Sequence, residues 1–120
     1  MGLTRVTVAI RSLGAADGAY QSEFLVDTGA TDSLAPSPAL ERIGVKKVGK
    51  MVCELANGSR QEYSFGLVEI SFMGEITAGR IIFGPDYAEP LLGVTALESV
   101  GITVDPATQT LKRLPAIPLK

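Results

Sequence analysis

Apolar and polar residues alternate along most of this chain, and the alternation is cut at short intervals by glycine, proline or asparagine. Val6, Val8 and Ile10 alternate with Thr7 and Ala9, the period-two pattern of a half-buried strand. Gly14, Asp17 and Gly18 mark a hairpin loop over 13–19, and 20–26 predicts a second strand running into Asp27-Thr28-Gly29. Pro36 and Pro38 break the chain. Ser37-Pro38 before Ala39-Leu40-Glu41-Arg42 predicts an N-cap, a proline at N1 and one short helical turn. Segments 45–56 and 59–72 predict extended chain. They meet at Asn57-Gly58, a pair suited to a two-residue hairpin turn because both residues tolerate positive φ. A further turn is predicted at Gly74, then a strand over 76–83 and a loop over 85–90.

Leu91-Leu92-Gly93 is a short apolar run. Thr95 and Glu98 have capping-box spacing and Gly101 stands where a helix C-cap falls, so 95–100 reads as a short helix. Terminal strands are expected over 102–104 and 110–114. There is no internal repeat and no linker composition, so the chain reads as one all-β domain over 1–120 with two short helical pieces. A chain of 120 residues is long enough to bury a core without disulfides or metals.

Composition narrows the chemistry. Hydrophobic residues make up 46% and charged ones 20%, which argues against disorder. The formal net charge of −2 and the scattered basic residues give a nucleic-acid partner no footprint. One cysteine and no histidine exclude an intramolecular disulfide, a His/Cys zinc site and the Ser-His and Cys-His hydrolases. No cofactor is implied. Acid–base chemistry near neutral pH falls to carboxylates, or else to Lys, Tyr or Cys53. Cys53 reads as a small packing residue far in sequence from the motif, so thiol reagents are expected to spare any activity. No leader pattern opens the sequence, and no apolar run approaches the ~18 residues of a membrane span, so the expectation is a soluble, cytoplasmic protein without a membrane partner.

Asp27-Thr28-Gly29 carries the candidate chemistry. An aspartate where an apolar strand leaves its sheet is held by a rigid element yet reaches a cleft. Thr28 offers a hydroxyl, and Gly29 permits close backbone approach and an N–H donor to the carboxylate. The bare triplet also suits a strand-end Asx turn. Asn57-Gly58 alone is a hairpin turn, and Leu91-Leu92-Gly93 alone is the end of a core strand. Asp32 either contacts substrate backbone or is a solvated loop residue.

In combination these segments point further. Phe24-Leu25-Val26-Asp27-Thr28-Gly29-Ala30 resembles the active-site loop of the retropepsin-like aspartic proteases. Leu91-Leu92-Gly93, followed by the helix and Gly101-Ile102, resembles that family's second hallmark, and Asn57-Gly58 lies between them in the flap position. In texture the chain is most similar to bacterial or archaeal single-domain members. The resemblance implies a closed or partly open β-barrel with a flap hairpin and one short C-terminal helix, paired as a C2 homodimer. It implies that Asp27 is catalytic, that Thr28 braces the same threonine of a partner, and that Gly29 contacts substrate backbone. Ala30 and Asp32 would flank the substrate, 56–59 would form the flap tip with Asn57 and Gly58 meeting the substrate, and Leu92 and Gly93 would support the active-site loop.

The chemistry of that family needs two carboxylates sharing one proton. Asp17, Asp86 and Asp105 are not followed by Thr-Gly or Ser-Gly, so the second carboxylate is expected from Asp27 of another copy, which a two-fold dimer supplies. The expected partner is a peptide or protein substrate held extended, with apolar side chains at the scissile bond and Leu25, Leu92 and Val94 supporting the pockets. The alternative is a catalytically silent module that binds peptides through the same cleft. Viral members pair through interleaved termini, and the stretch 105–120 departs from that pattern.

Overall fold

In the computed structural model, which describes residues 4–14 and 18–119, the alternating segments become strands whose inward positions form one core. The tip of the expected 13–19 loop lies outside the described residues. Strands β1 (Arg5–Ser12) and β2 (Tyr20–Asp27) pair antiparallel from Arg5↔Leu25 to Ile10↔Tyr20. Val8, Ile10 and Phe24 point to the same side and are fully buried.

β3 (Ser33–Pro36) leads into α1 (Ser37–Arg42), and β4 (Gly49–Glu54), β5 (Arg60–Phe72) and β6 (Glu75–Gly84) follow as an antiparallel run. β7 (Leu91–Gly93), α2 (Val94–Ser99), β8 (Ile102–Asp105) and β9 (Thr110–Arg113) complete the order. The main sheet runs β1-β2-β7-β3-β6-β5-β4, and β1 also pairs with β5 from Ala9↔Ser71 to Ser12↔Val68. Six strands therefore close into a barrel, leaving β4 outside the closure as the free arm of the β4–β5 hairpin. Closure removes sheet edges and gives the inward residues a single interior, filled by Ile70, Ile81, Leu92 and Leu97 among others. This is the closed all-β barrel that the family resemblance implies, with the β4–β5 hairpin projecting from it. β8 and β9 form a separate ribbon, tied down where the Thr4 hydroxyl donates to the Gln109 carbonyl at 2.7 Å and the Leu114 N–H donates to the Gly101 carbonyl at 2.8 Å.

Several local expectations are corrected. Pro36 does not simply break the chain. It ends β3, which pairs parallel with β6 from Ser33↔Ile81 to Pro36↔Gly84. A proline is tolerated at a strand end because the ladder needs no donor there. Ser37 is not the cap of α1. Pro36 holds that position, and the Ser37 hydroxyl donates to the Gly84 carbonyl at 2.6 Å, fastening the helix to the end of β6. Residues 45–48 precede β4 instead of belonging to it, with Val45 buried and its N–H donating to the Leu40 carbonyl.

The β4–β5 tip is not the two-residue turn expected at Asn57-Gly58. At the β4–β5 tip, Leu55 N–H donates to the Ser59 carbonyl at 2.8 Å and Gly58 N–H to the Leu55 carbonyl at 2.9 Å, enclosing three residues. Only Gly58 adopts positive φ there, at 85°. The Asn57 side-chain oxygen accepts from the Ser59 N–H and hydroxyl, at 2.9 and 2.6 Å. This is the turn-plus-glycine form of hairpin loop. The two-residue form appears instead at Met73-Gly74, with φ of 53° and 77° between the paired Phe72 and Glu75.

Candidate active site

Asp27 is the last residue of β2, at the point where β2 pairs in parallel with β7 through Leu25↔Leu91, Val26↔Leu92 and Asp27↔Gly93. The pairing brings the two sequence motifs side by side. Asp27 is half-buried, and its Oδ1 accepts the Gly29 N–H at 3.0 Å while its carbonyl accepts the Ala30 N–H at 3.1 Å. A Cβ at position 29 would sit 3.3 Å from that Oδ1, so a side chain there would crowd the carboxylate it now orients.

The loop after Asp27 is clamped from beneath by residues 93–95. The Ala30 carbonyl accepts the Val94 N–H at 2.8 Å, and the Thr31 carbonyl accepts the Thr95 N–H at 3.2 Å. These amides open α2, and the loop carbonyls satisfy them as a capping side chain would. For that reason the expected Thr95–Glu98 capping box does not form: α2 starts at Val94 with Gly93 as its cap, and no side chain bonds there. Ser33, 2% exposed, accepts the Gly93 N–H on its hydroxyl at 3.0 Å. A Cβ on Gly93 would lie 2.6 Å from the backbone of Asp32, so only glycine lets loop and helix approach this closely. Leu92 is fully buried in the core below the loop, and its neighbour Leu91 reaches the cleft instead.

That cleft has a volume of about 630 Å³ and runs between the 27–32 loop and β4. Asp27, Gly29, Ala30 and Asp32 line it from the loop side. From the hairpin come Cys53, Glu54, Leu55 and Ala56, while Leu34, Ile82 and Leu91 add apolar surface. Asn57 and Gly58 are exposed at the tip and do not line it. Thr28 is exposed too. It lines a second, largely apolar groove of about 410 Å³ with Val94, Leu97, Ile102 and Pro118. Adjacent residues of the loop thus serve different surfaces.

One residue stands nearer the motif than its place in the sequence suggests. Cys53, distant from the motif in sequence, shares a cleft with Asp27, because the pairing of β4 on β5 folds it back over the loop. Burial pushes its thiol above the ordinary cysteine value, and the negative charge of Asp32 adds to the shift. Sequence reasoning also missed Ser33 and Leu34; the only signal was a polar residue opening the short apolar run Ser33-Leu34-Ala35. Among the described residues no group of three or more His, Cys, Asp or Glu side chains is placed to hold a metal ion, and no helix is long and apolar enough to cross a membrane.

Residues 14–99 match the model of a family described as gag-polyprotein putative aspartyl protease. No curated protein sequence matches the chain. Among solved structures, the EIAV protease complexed with the inhibitor HBY-793 is similar over 87% of this chain and 93% of its own, with 20% identity and a TM-score of 0.67. The solution structure of the simian foamy virus (mac) protease is similar over 78% of this chain and 91% of its own, with 17% identity and a TM-score of 0.55. At these identities the likeness speaks for the fold.

Proposed function

This chain belongs to the gag-polyprotein aspartyl protease family, and from that premise we propose that it hydrolyses peptide bonds with two copies of Asp27, one from each protomer of a two-fold dimer. The observation that carries the reading is Asp27 itself: a half-buried carboxylate at a strand end, oriented by the Gly29 N–H and open to a cleft large enough for an extended peptide. The sequence holds a single Asp-Thr-Gly, so a second such carboxylate requires a second chain. Residues on a two-fold axis meet their own copies, so one interface supplies the pair.

Two carboxylates at close range retain one proton between them. The ionised member takes a proton from water as the water oxygen attacks the scissile carbonyl carbon. The protonated member donates to the carbonyl oxygen, giving a neutral tetrahedral diol. Collapse of the diol returns a proton to the leaving nitrogen as the C–N bond breaks, and the pair again holds one proton. Ala30 and Leu55 flank the cleft on opposite sides and are positioned to border an extended substrate, whose backbone amides would supply affinity.

A second reading, a module that binds peptides without cutting them, is favoured by one feature. Pro118 of the chain's own C-terminal segment lines the groove beside Thr28, where it would compete with a partner copy for that surface. Cleavage of a peptide library by the wild-type chain and by Asp27→Asn separates the two. The proposed reading expects cleavage that the near-isosteric substitution lowers by about 10²–10⁴-fold or more, with the thermal unfolding midpoint preserved. Equal cleavage by both proteins would assign the activity elsewhere.

A further inference from the structure

We propose that Asp32, assisted by Glu54, makes this cleft select a lysine or arginine side chain at one substrate position beside the scissile bond; the inference rests on the peptide-cleaving reading above but is tested separately from it. The expectation from sequence is a cleft with mainly apolar pockets, Asp32 and Glu54 being the charged residues near the motif segments. The structure gives it an apolar interior from Leu34, Ile82 and Leu91, and places carboxylates on both of its sides. Asp32 comes from the active-site loop and Glu54 from the end of β4, and among the described residues no lysine or arginine lines the cleft.

Neither carboxylate is paired with a cation among the described residues. Ion pairs among the described residues join Arg5 to Glu89, Arg11 to Glu69, Lys47 to Glu41 and Arg113 to Glu75, and none involves Asp32 or Glu54. Two arginines, Arg80 and Arg60, stand near these carboxylates. Arg80 borders the small hollow behind Asp32, but its guanidinium lies 4.4 Å over the Phe65 ring and does not enter the cleft. Arg60 is the cross-strand neighbour of Glu54 and makes no ion pair with it. The field of Asp32 does reach across to β4, where it contributes to the raised value of the Cys53 thiol.

The physical consequence concerns substrate choice. A half-buried carboxylate at the edge of an apolar cleft suits a side chain with an apolar stem and a cationic head. The stem of lysine or arginine covers Leu34 and Ile82 while the head reaches Asp32. An acidic side chain at the same position meets two like charges. Because a two-fold dimer repeats the subsite, a substrate can satisfy it on either side of the scissile bond.

The test is binding to the Asp27→Asn chain, which keeps the cleft and does not consume the probe. Fluorescein-labelled peptides of one apolar sequence are compared with lysine, norleucine or glutamate placed in turn at each position, by anisotropy at low and high salt. We expect lysine at one position, or at its two-fold mate, to bind about 3- to 10-fold tighter than norleucine, with glutamate weakest. Added salt should shrink the difference, and Asp32→Asn should remove most of it. Glu54→Gln, on the exposed hairpin arm, should remove a smaller part, and it serves as the second variant if Asp32→Asn folds poorly. Equal binding of lysine and norleucine at every position would overturn the proposal, as would a lysine preference that survives both substitutions. Charge-dependent binding with no cleavage of any peptide by the wild-type chain would uphold this subsite and overturn the protease reading. Cleavage and binding indifferent to charge would do the reverse.

Discussion

Single residues around Asp27 are placed by backbone contacts that sequence shows only in part. The Gly29 N–H to Asp27 bond follows from the triplet, because an aspartate two residues before a glycine is a familiar Asx arrangement. The role of Cys53 does not follow, since only the β4–β5 pairing brings it to the loop. That placement yields a reactivity prediction opposite to the one read from sequence. A bulky maleimide that labels Cys53 should block peptide cleavage by filling the cleft. Labelling should be slow at neutral pH, because burial and Asp32 both hold the thiol in its protonated, unreactive form. Removing the negative charge with Asp32→Asn lowers the thiol's value and raises the thiolate fraction at a given pH, so labelling should speed up. Rates followed by mass spectrometry across pH check the sign, and a slower Asp32→Asn protein would show that the charge does not act on this thiol.

At the scale of elements, the strands that alternate cleanly were legible and the junctions were not. β1 follows from its period of two, and β2, β5 and β6 from extended apolar stretches bounded by turn residues. β3 was hidden by Pro36 and Pro38, because a four-residue strand offers too few positions for a pattern. The start of α2 was misplaced because its first amides bond to a loop distant in sequence, which a local capping motif cannot reveal. The same junction makes Ser33 the hidden support of the site. Ser33→Ala leaves the Gly93 N–H buried without its acceptor and should cost about 1–3 kcal/mol of stability in urea unfolding. A loss below the error of the measurement would mean that the contact between β3 and β7 is not what holds the loop. The β4–β5 tip behaves differently. Gly58→Pro removes the N–H that bonds to Leu55 and demands a φ that proline cannot adopt. Because the tip is exposed and lies outside the barrel closure, turnover should fall more than stability. Paired kinetics and thermal unfolding test this, and a large drop in melting temperature with turnover unchanged would count against a flap role.

For the molecule as a whole, closure of the barrel depends on pairings between segments far apart, β1 with β5 and β2 with β7, and these have no local signature. They were reachable only through the order of three motifs that resembles a known family. The pairing of two copies also belongs to this scale. The groove beside Thr28 is largely apolar, and Leu114, Ile117 and Leu119 of the following segment are 45%, 56% and 96% exposed in a single chain. Such exposed apolar surface beside the 27–32 loop is suited to burial against a second copy. Whether Asp27 acts as a pair is tested most directly by mixing. A fixed amount of wild-type chain is titrated with Asp27→Asn chain under conditions where all chains are paired, with peptide substrate in large excess over both. If two Asp27 side chains are needed, a ninefold excess of the variant leaves only about a tenth of the original wild-type pairs, and cleavage falls to about a tenth. Cleavage that stays constant as the variant is added would contradict the paired mechanism.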